Sequence, residues 1–447
     1  MMFNSIEFVL FFVVLLTIIY FIDRNSNNTP KIRNIVLLMA SLLYYLLIDY
    51  KYFLLFICII LTTYFIGLKA KDNKKVISIG VTLLVLLLIF FKYNNFFISN
   101  ILNNDFIRII MPVGISFYIF KAISYMVDVY RGKYECEKSF IKVALYLSLF
   151  TEVVSGPISR FNDLSKQFDN NTKLSVEYFT EGVQVFVIGL FKKIVVADNI
   201  SVFVNEVYRA PRAYSSLTVL LCIIGYAVYI YMDFSGYSDM ATGCSKMLGY
   251  DIRKNFDSPY ISKNITEFWK RWHISLSNWI MDYIYIPLGG NRKGRTRQYV
   301  NLVLTMFIAG LWHGSSYMFA IWGFINGLAL AIQKRFFKKD KILTIIINYI
   351  FILISWITFK ASDINNFLDI LNQLWFKTGI SYISTWAIFG IIVVILDIIL
   401  SIKNNKEEYY PIQDLTTIKG LVIFFLIIGL TLGLGYTGAN PFVYSNF

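Results

Sequence analysis

Only two histidines occur in the 447 residues, His273 in Trp-Lys-Arg-Trp-His-Ile-Ser-Leu-Ser and His313 in Ala-Gly-Leu-Trp-His-Gly. Both stand in apolar, tryptophan-rich sequence. Imidazole has an ordinary pKa near neutrality, so either ring could take a proton from a hydroxyl and return it within one turnover. Each also has an ordinary structural reading. His273 could be a core histidine bonded to a backbone carbonyl. His313, bracketed by Gly310 and Gly314, could sit in a helix packed closely on another through small residues. Nucleophiles are scarce: Ser235 lies in Asp-Phe-Ser-Gly-Tyr, which is not a Gly-x-Ser-x-Gly elbow, and no cysteine neighbours either histidine in sequence. The chemistry left is direct transfer, in which a histidine deprotonates an acceptor hydroxyl that attacks an activated acyl group.

Other residues could serve such a centre. Ile265, Phe268, Trp269, Trp272, Leu276 and Trp279 recur at helical spacing, which predicts one helix over 264–280 with His273 facing inward beside Trp269, Trp272 and Leu276. Burial there would push the His273 pKa toward the neutral form. Around the two rings the candidate substrate contacts are Trp269, Arg271, Trp272, Ser275, Ser277 and Trp312. Tyr231, Asp233 and Tyr237 add hydroxyls and a carboxylate that either line a polar cavity or mark the aqueous interface. Arg292, Lys293, Arg295 and Arg297 put four positive charges within six residues, enough to hold the phosphates of a coenzyme or to anchor a loop on the cytosolic side. Cys58, Cys136, Cys222 and Cys244 share no metal-ligand spacing and read as small core residues, and no metal site is expected.

The elements that must position these groups lie in a membrane. Hydrophobic residues make up 57% of the chain and charged residues 16%, with a mean hydropathy of +0.59, a composition foreign to soluble domains. The stretches 3–22, 32–48, 52–68 and 76–91 have the length that crosses a hydrocarbon core roughly 30 Å thick. A fifth span is expected over 107–130, and plain spans return near 342–357, 386–402 and 421–436. The first stretch lacks a basic n-region and a small-residue cleavage site, so it is expected to be retained. The fold class is all-α, a polytopic integral membrane protein.

The net charge of +14 then reads as topology. Arg24, Lys31 and Arg33 follow the first span, Lys69, Lys71, Lys74 and Lys75 the third, and Arg131 and Lys133 the fifth, which places the N-terminus outside. The basic residues form no domain of their own, which argues against nucleic-acid binding. One membrane domain is expected, with scaffold spans over 1–137, a central catalytic region over 138–337 and closing spans over 338–447. The central region is interrupted by Gly156-Pro157, a polar run over 160–175, Lys192-Lys193 and Pro211. Irregular backbone at membrane depth is tolerated only where protein covers it or where it lines a cavity, so the site is expected there.

Five motifs occur in order: Tyr-Met-Asp-Phe-Ser-Gly-Tyr-Ser-Asp (231–239), Asn-Phe-Asp-Ser-Pro-Tyr (255–260), Phe-Trp-Lys-Arg-Trp-His-Ile-Ser-Leu-Ser (268–277), Tyr-Ile-Pro-Leu-Gly-Gly (285–290) and Gly-Leu-Trp-His-Gly (310–314). Together they resemble the membrane-bound O-acyltransferase family. The last two forms, with Met-Pro-Val-Gly-Ile-Ser-Phe (111–117) and residues 152–157, are most similar to its bacterial branch that O-acetylates alginate, peptidoglycan and cellulose. The resemblance implies a ring of helices around a central funnel, with His313 as principal histidine and His273 as second. It implies acetyl-CoA as a cytosolic donor substrate with no tightly bound cofactor. It also implies an SGNH-type acetyltransferase as extracytoplasmic partner, a polysaccharide as final acceptor, and a place among the lipids of the bacterial cytoplasmic membrane. Two rivals stand beside this reading: D-alanyl transfer to teichoic acid, against which the Ile-Pro-Leu-Gly-Gly form argues, and a transporter in which the histidines only pack or couple protons.

Overall fold

The computed structural model describes residues 1–25, 29–71, 73–101, 109–169, 174–337, 341–403, 412–438 and 442. Among these, every regular element is a helix, and the one strand-like contact is an isolated bridge between Tyr214 and Ile380. Among the described residues, seven helices are long and apolar enough to cross a membrane: Ile6–Arg24, Pro30–Ile48, Tyr50–Ala70, Lys74–Ile98, Ser216–Met247, Ile342–Lys360 and Thr385–Lys403. The shorter Ile418–Leu434 is also apolar. Nineteen helical residues rise about 28 Å, which matches a hydrocarbon core. The chain is a polytopic helical membrane protein.

Two compact units are present, residues 1–187 with 237–254, and residues 188–236 with 255–447. The first contains four of the spans. Its helix Ile115–Tyr130 is only 16 residues long, shorter than the fifth span expected over 107–130, and 107–108 lie outside the described residues. Nearly all of it is buried, so its apolar sequence serves contacts with protein rather than lipid. Gly114 sets its start with φ +72, where a Cβ would stand 3.0 Å from the Val153 carbonyl carbon. Lys121 on this helix pairs with Glu152 at 2.6 Å, both groups almost fully buried, and Glu152 also accepts from the Ser159 hydroxyl. Arg33 departs from the expectation of a loop charge. It lies inside the helix Thr29–Ile48, is 2% exposed, and pairs with Asp23 at 3.0 Å. A guanidinium whose charge is matched inside the protein reports nothing about membrane sidedness.

In the second unit the helix expected over 264–280 is two helices, Ile265–Arg271 and Ile274–Ile280. The cause is non-local. The Arg271 carbonyl accepts from the Asp257 amide at 3.0 Å, and the Ile274 amide donates to the Asn255 carbonyl at 2.8 Å. Two backbone groups that a continuous helix would use internally are thus taken by residues 255–257. His273 falls at the break with φ +42, a left-handed conformation costing a non-glycine residue about 1–3 kcal/mol. Downstream, the Ile-Pro-Leu-Gly-Gly turn leads into a hairpin of helices Arg295–His313 and Tyr317–Phe336. The Asn301 side chain ties that turn to the hairpin by donating to the Gly290 carbonyl at 2.9 Å.

Candidate active site

The break in the helix and the end of the hairpin's first helix bring the two histidines together. Both line one cavity of about 270 Å³. Thr266, Trp269 and Trp272 contribute to its wall ahead of His273, and Leu276, Ser277 and Tyr285 after it. The hairpin supplies Thr305, Ala309 and His313 from its first helix and Trp322 and Lys334 from its second.

Small residues let the hairpin close. A Cβ on Gly323 would stand 3.0 Å from the Gly310 Cα, and one on Gly327 would stand 2.6 Å from the Val303 Cα, so the backbones meet where side chains would hold them apart. This close approach carries the His313 ring against Trp322 at 5.0 Å between centroids and Phe359 at 5.1 Å, both edge-on, with Trp312 at 4.7 Å. Trp322 in turn meets Trp269 edge-on at 5.5 Å, so the two histidine-bearing segments share an aromatic wall.

His273 is 2% exposed. Its Nδ1 lies 3.3 Å from Asn255 Oδ1, and the Phe234 ring meets the imidazole edge-on at 4.6 Å. Burial lowers its pKa, as expected, and favours the neutral imidazole, the form that can accept a proton. A second cavity of about 260 Å³, between Tyr317–Phe336 and Ile342–Lys360, is lined among the described residues by aliphatic and aromatic side chains with Asn, Gln and Thr.

Comparison with known proteins identifies the family. The family model for membrane-bound O-acyltransferases matches residues 136–364. A probable alginate O-acetylase of Pseudomonas syringae pv. tomato is 36% identical over 386 residues, covering 82% of this chain and 73% of that protein. The peptidoglycan O-acetyltransferase of Helicobacter pylori is 32% identical over 426 residues, covering 85% and 81%. The teichoic acid D-alanyltransferase of Bacillus subtilis is 26% identical over 282 residues, covering 58% and 71%. The chain belongs to the membrane-bound O-acyltransferase family. It is an acyltransferase.

In this membrane-bound O-acyltransferase the residues expected to bind substrate fall into three groups. Trp269, Trp272 and Ser277 line the cavity with the histidines. Trp272 also anchors an aromatic cluster, 4.7 Å from Trp356 and 5.0 Å from Phe256. Arg271, Ser275 and Trp312 stand outside the lining. Arg271 bonds Asp257 at 3.1 Å and Glu267 at 3.0 Å, Ser275 donates to Asn255, and Trp312 leans on His313. The third group lies elsewhere. Tyr231 donates to Asp397 at 2.8 Å, and the same carboxylate oxygen accepts from Ser258 at 3.2 Å. Asp233 is fully buried against Lys193 at 2.6 Å, whose ammonium also meets Asp198 at 2.8 Å. Tyr237 belongs to the other unit, where its ring packs 4.9 Å from Phe3.

Arg292, Lys293, Arg295 and Arg297 are exposed at the start of the hairpin and do not line the cavity. Lys334 does. The hairpin is antiparallel, so Lys334 lies toward the same end as Arg295 and Arg297. Thr266, Thr305, Trp322 and Lys334 line the cavity without having stood out in the sequence, whereas Asn255 and Tyr285 belong to the quoted motifs but carried no assigned role there. Part of the signal was present: Leu302, Thr305, Met306, Ala309 and His313 form one helical stripe, and each lines the cavity.

Proposed function

We propose that this acyltransferase takes an acetyl group from cytosolic acetyl-CoA and passes it to a hydroxyl destined for an extracytoplasmic polysaccharide, with His313 as general base. The observation that carries the reading is the meeting of the chain's only two histidines in one aromatic-walled cavity. His313 takes the proton as the acceptor O–H bond breaks, the oxygen attacks the thioester carbonyl, the C–S bond breaks, and the departing thiolate receives the proton. His273 orients the acceptor or thioester, or steadies the developing charge, and the indole walls keep water from competing.

The donor reading draws support from the hairpin. Trp322 and Lys334 are twelve residues apart on one helix, about 18 Å. A donor with its phosphates at the basic end and its thioester at the histidines suits coenzyme A, whose thiol ends a long flexible arm. Acetyl rather than D-alanyl transfer is favoured by the stronger similarity to the alginate and peptidoglycan enzymes. On this reading the protein sits in the bacterial cytoplasmic membrane among its lipids, and an SGNH-type partner outside completes transfer to the sugar.

The test is mass spectrometry of acids released by mild alkali from cell-envelope polysaccharides, comparing wild type with His313→Ala at equal membrane abundance. Loss of acetate is expected and identifies the polymer. Loss of D-alanine would establish the teichoic-acid rival, and unchanged esters would remove His313 from catalysis.

A further inference from the structure

Asn255 meets the inner side of His273 and is itself 2% exposed. Its Oδ1 receives the Ser275 hydroxyl at 2.6 Å and the Ser275 backbone N–H at 3.3 Å, and stands 3.3 Å from His273 Nδ1. The orientation of a side-chain amide is often ambiguous, but a backbone N–H can only donate, so the atom facing Ser275 has to be the oxygen. A carbonyl oxygen beside an imidazole nitrogen requires that nitrogen to carry the proton. In a neutral ring the lone pair then resides on the other nitrogen, Nε2.

We propose that Asn255 is a positioning residue that holds neutral His273 with its proton on Nδ1, so that Nε2, the nitrogen remote from Asn255, accepts a hydrogen bond from the acceptor hydroxyl in the cavity and orients it. The supports are built into the backbone. The Asn255 carbonyl accepts from the Ile274 amide at 2.8 Å, and the Asp257 amide donates to the Arg271 carbonyl at 3.0 Å. Arg271 further donates to the Asp257 carbonyl at 3.0 Å. The amide side chain and the imidazole are therefore fastened to each other on both sides of the helix break. The contact with Asn255 Oδ1 itself opposes a ring flip, which would put a carbon where Nδ1 now faces the oxygen. Only the identity of the group meeting Nε2 rests on the acyl-transfer reading; the tautomer does not.

The test exploits the chain's two histidines. Ring-¹⁵N-histidine labelling of the full protein in nanodiscs, with a His313→Gln sample for assignment, reports the protonation of each His273 nitrogen without turnover. A protonated Nδ1 with bare Nε2 is expected. A proton on Nε2, or on both nitrogens, overturns the proposal. Asn255→Asp, which still accepts from both donors, should keep the tautomer and most acetyl transfer. Asn255→Leu should lose the preference and lower transfer about a hundredfold. An unchanged tautomer in Asn255→Leu also overturns the assignment, and if that variant does not fold, the wild-type and Asn255→Asp spectra still decide. Retained transfer in His313→Ala would refute the catalytic role of His313 while leaving this spectrum to be judged alone.

Discussion

At Lys334 a single ammonium stands in a cavity lining that carries no other formal charge among its described residues when the histidines are neutral. If it meets a donor phosphate, Lys334→Ala should raise the KM for acetyl-CoA about fivefold and leave kcat within about twofold. That is the effect of losing one partly exposed charge contact worth about 1 kcal/mol. Steady-state kinetics at low ionic strength checks this, and an unchanged KM would take Lys334 off the donor's path. The contrast with the histidines shows what a sequence can disclose at this scale. Two histidines in 447 residues draw the eye to themselves, whereas Lys334 is one of 42 basic residues and sits in the last turn of a helix, where lysine ordinarily complements the helix dipole. The charge-dense cluster from Arg292 to Arg297 was the conspicuous choice, yet conspicuousness in sequence is local while a cavity wall is assembled from remote turns. Asn255 stood in a quoted motif, but its role was hidden for the same reason, since its partner lies 18 positions away.

The hairpin and the broken helix are the elements that decide the site. Gly323 lets the second hairpin helix come so close that even one methyl group must displace backbone, so Gly323→Ala should cost about 1–3 kcal/mol and lower the thermal midpoint in detergent. A midpoint equal to wild type would show that the close approach is not maintained in the membrane protein. Gly310 marked a close approach beside His313 in the sequence, but the hairpin was not read from it, because the partner glycines Gly323 and Gly327 lie on the following helix. The interruption at His273 was not legible either, because periodicity records which side chains are buried and is blind to backbone groups captured by another segment. The helix Ile115–Tyr130 was misjudged in length for a related reason: hydropathy does not distinguish a side chain facing lipid from one facing protein.

For the molecule as a whole, the excess of positive charge becomes a statement about orientation once Arg33 is set aside as internally paired. The exposed turn at 291–294 should face the cytosol, the side from which the donor is proposed to enter. Lys293→Cys in a cysteine-free background should react with a membrane-impermeant maleimide in inverted vesicles and not in intact spheroplasts, and the reverse pattern would place the donor entrance on the wrong side. Asp397 carries a further consequence. It lies on the span Thr385–Lys403, beyond residue 364 where the family match ends, and it grips both Tyr231 and Ser258, the latter three positions from Asn255 and itself in a left-handed conformation at φ +41. The recognisable segment is therefore not an interchangeable cassette. A chimera that grafts residues 136–364 between relatives would inherit both imidazoles but leave behind the carboxylate that braces the loop beneath one of them, and any exchange of specificity has to carry that distant span along.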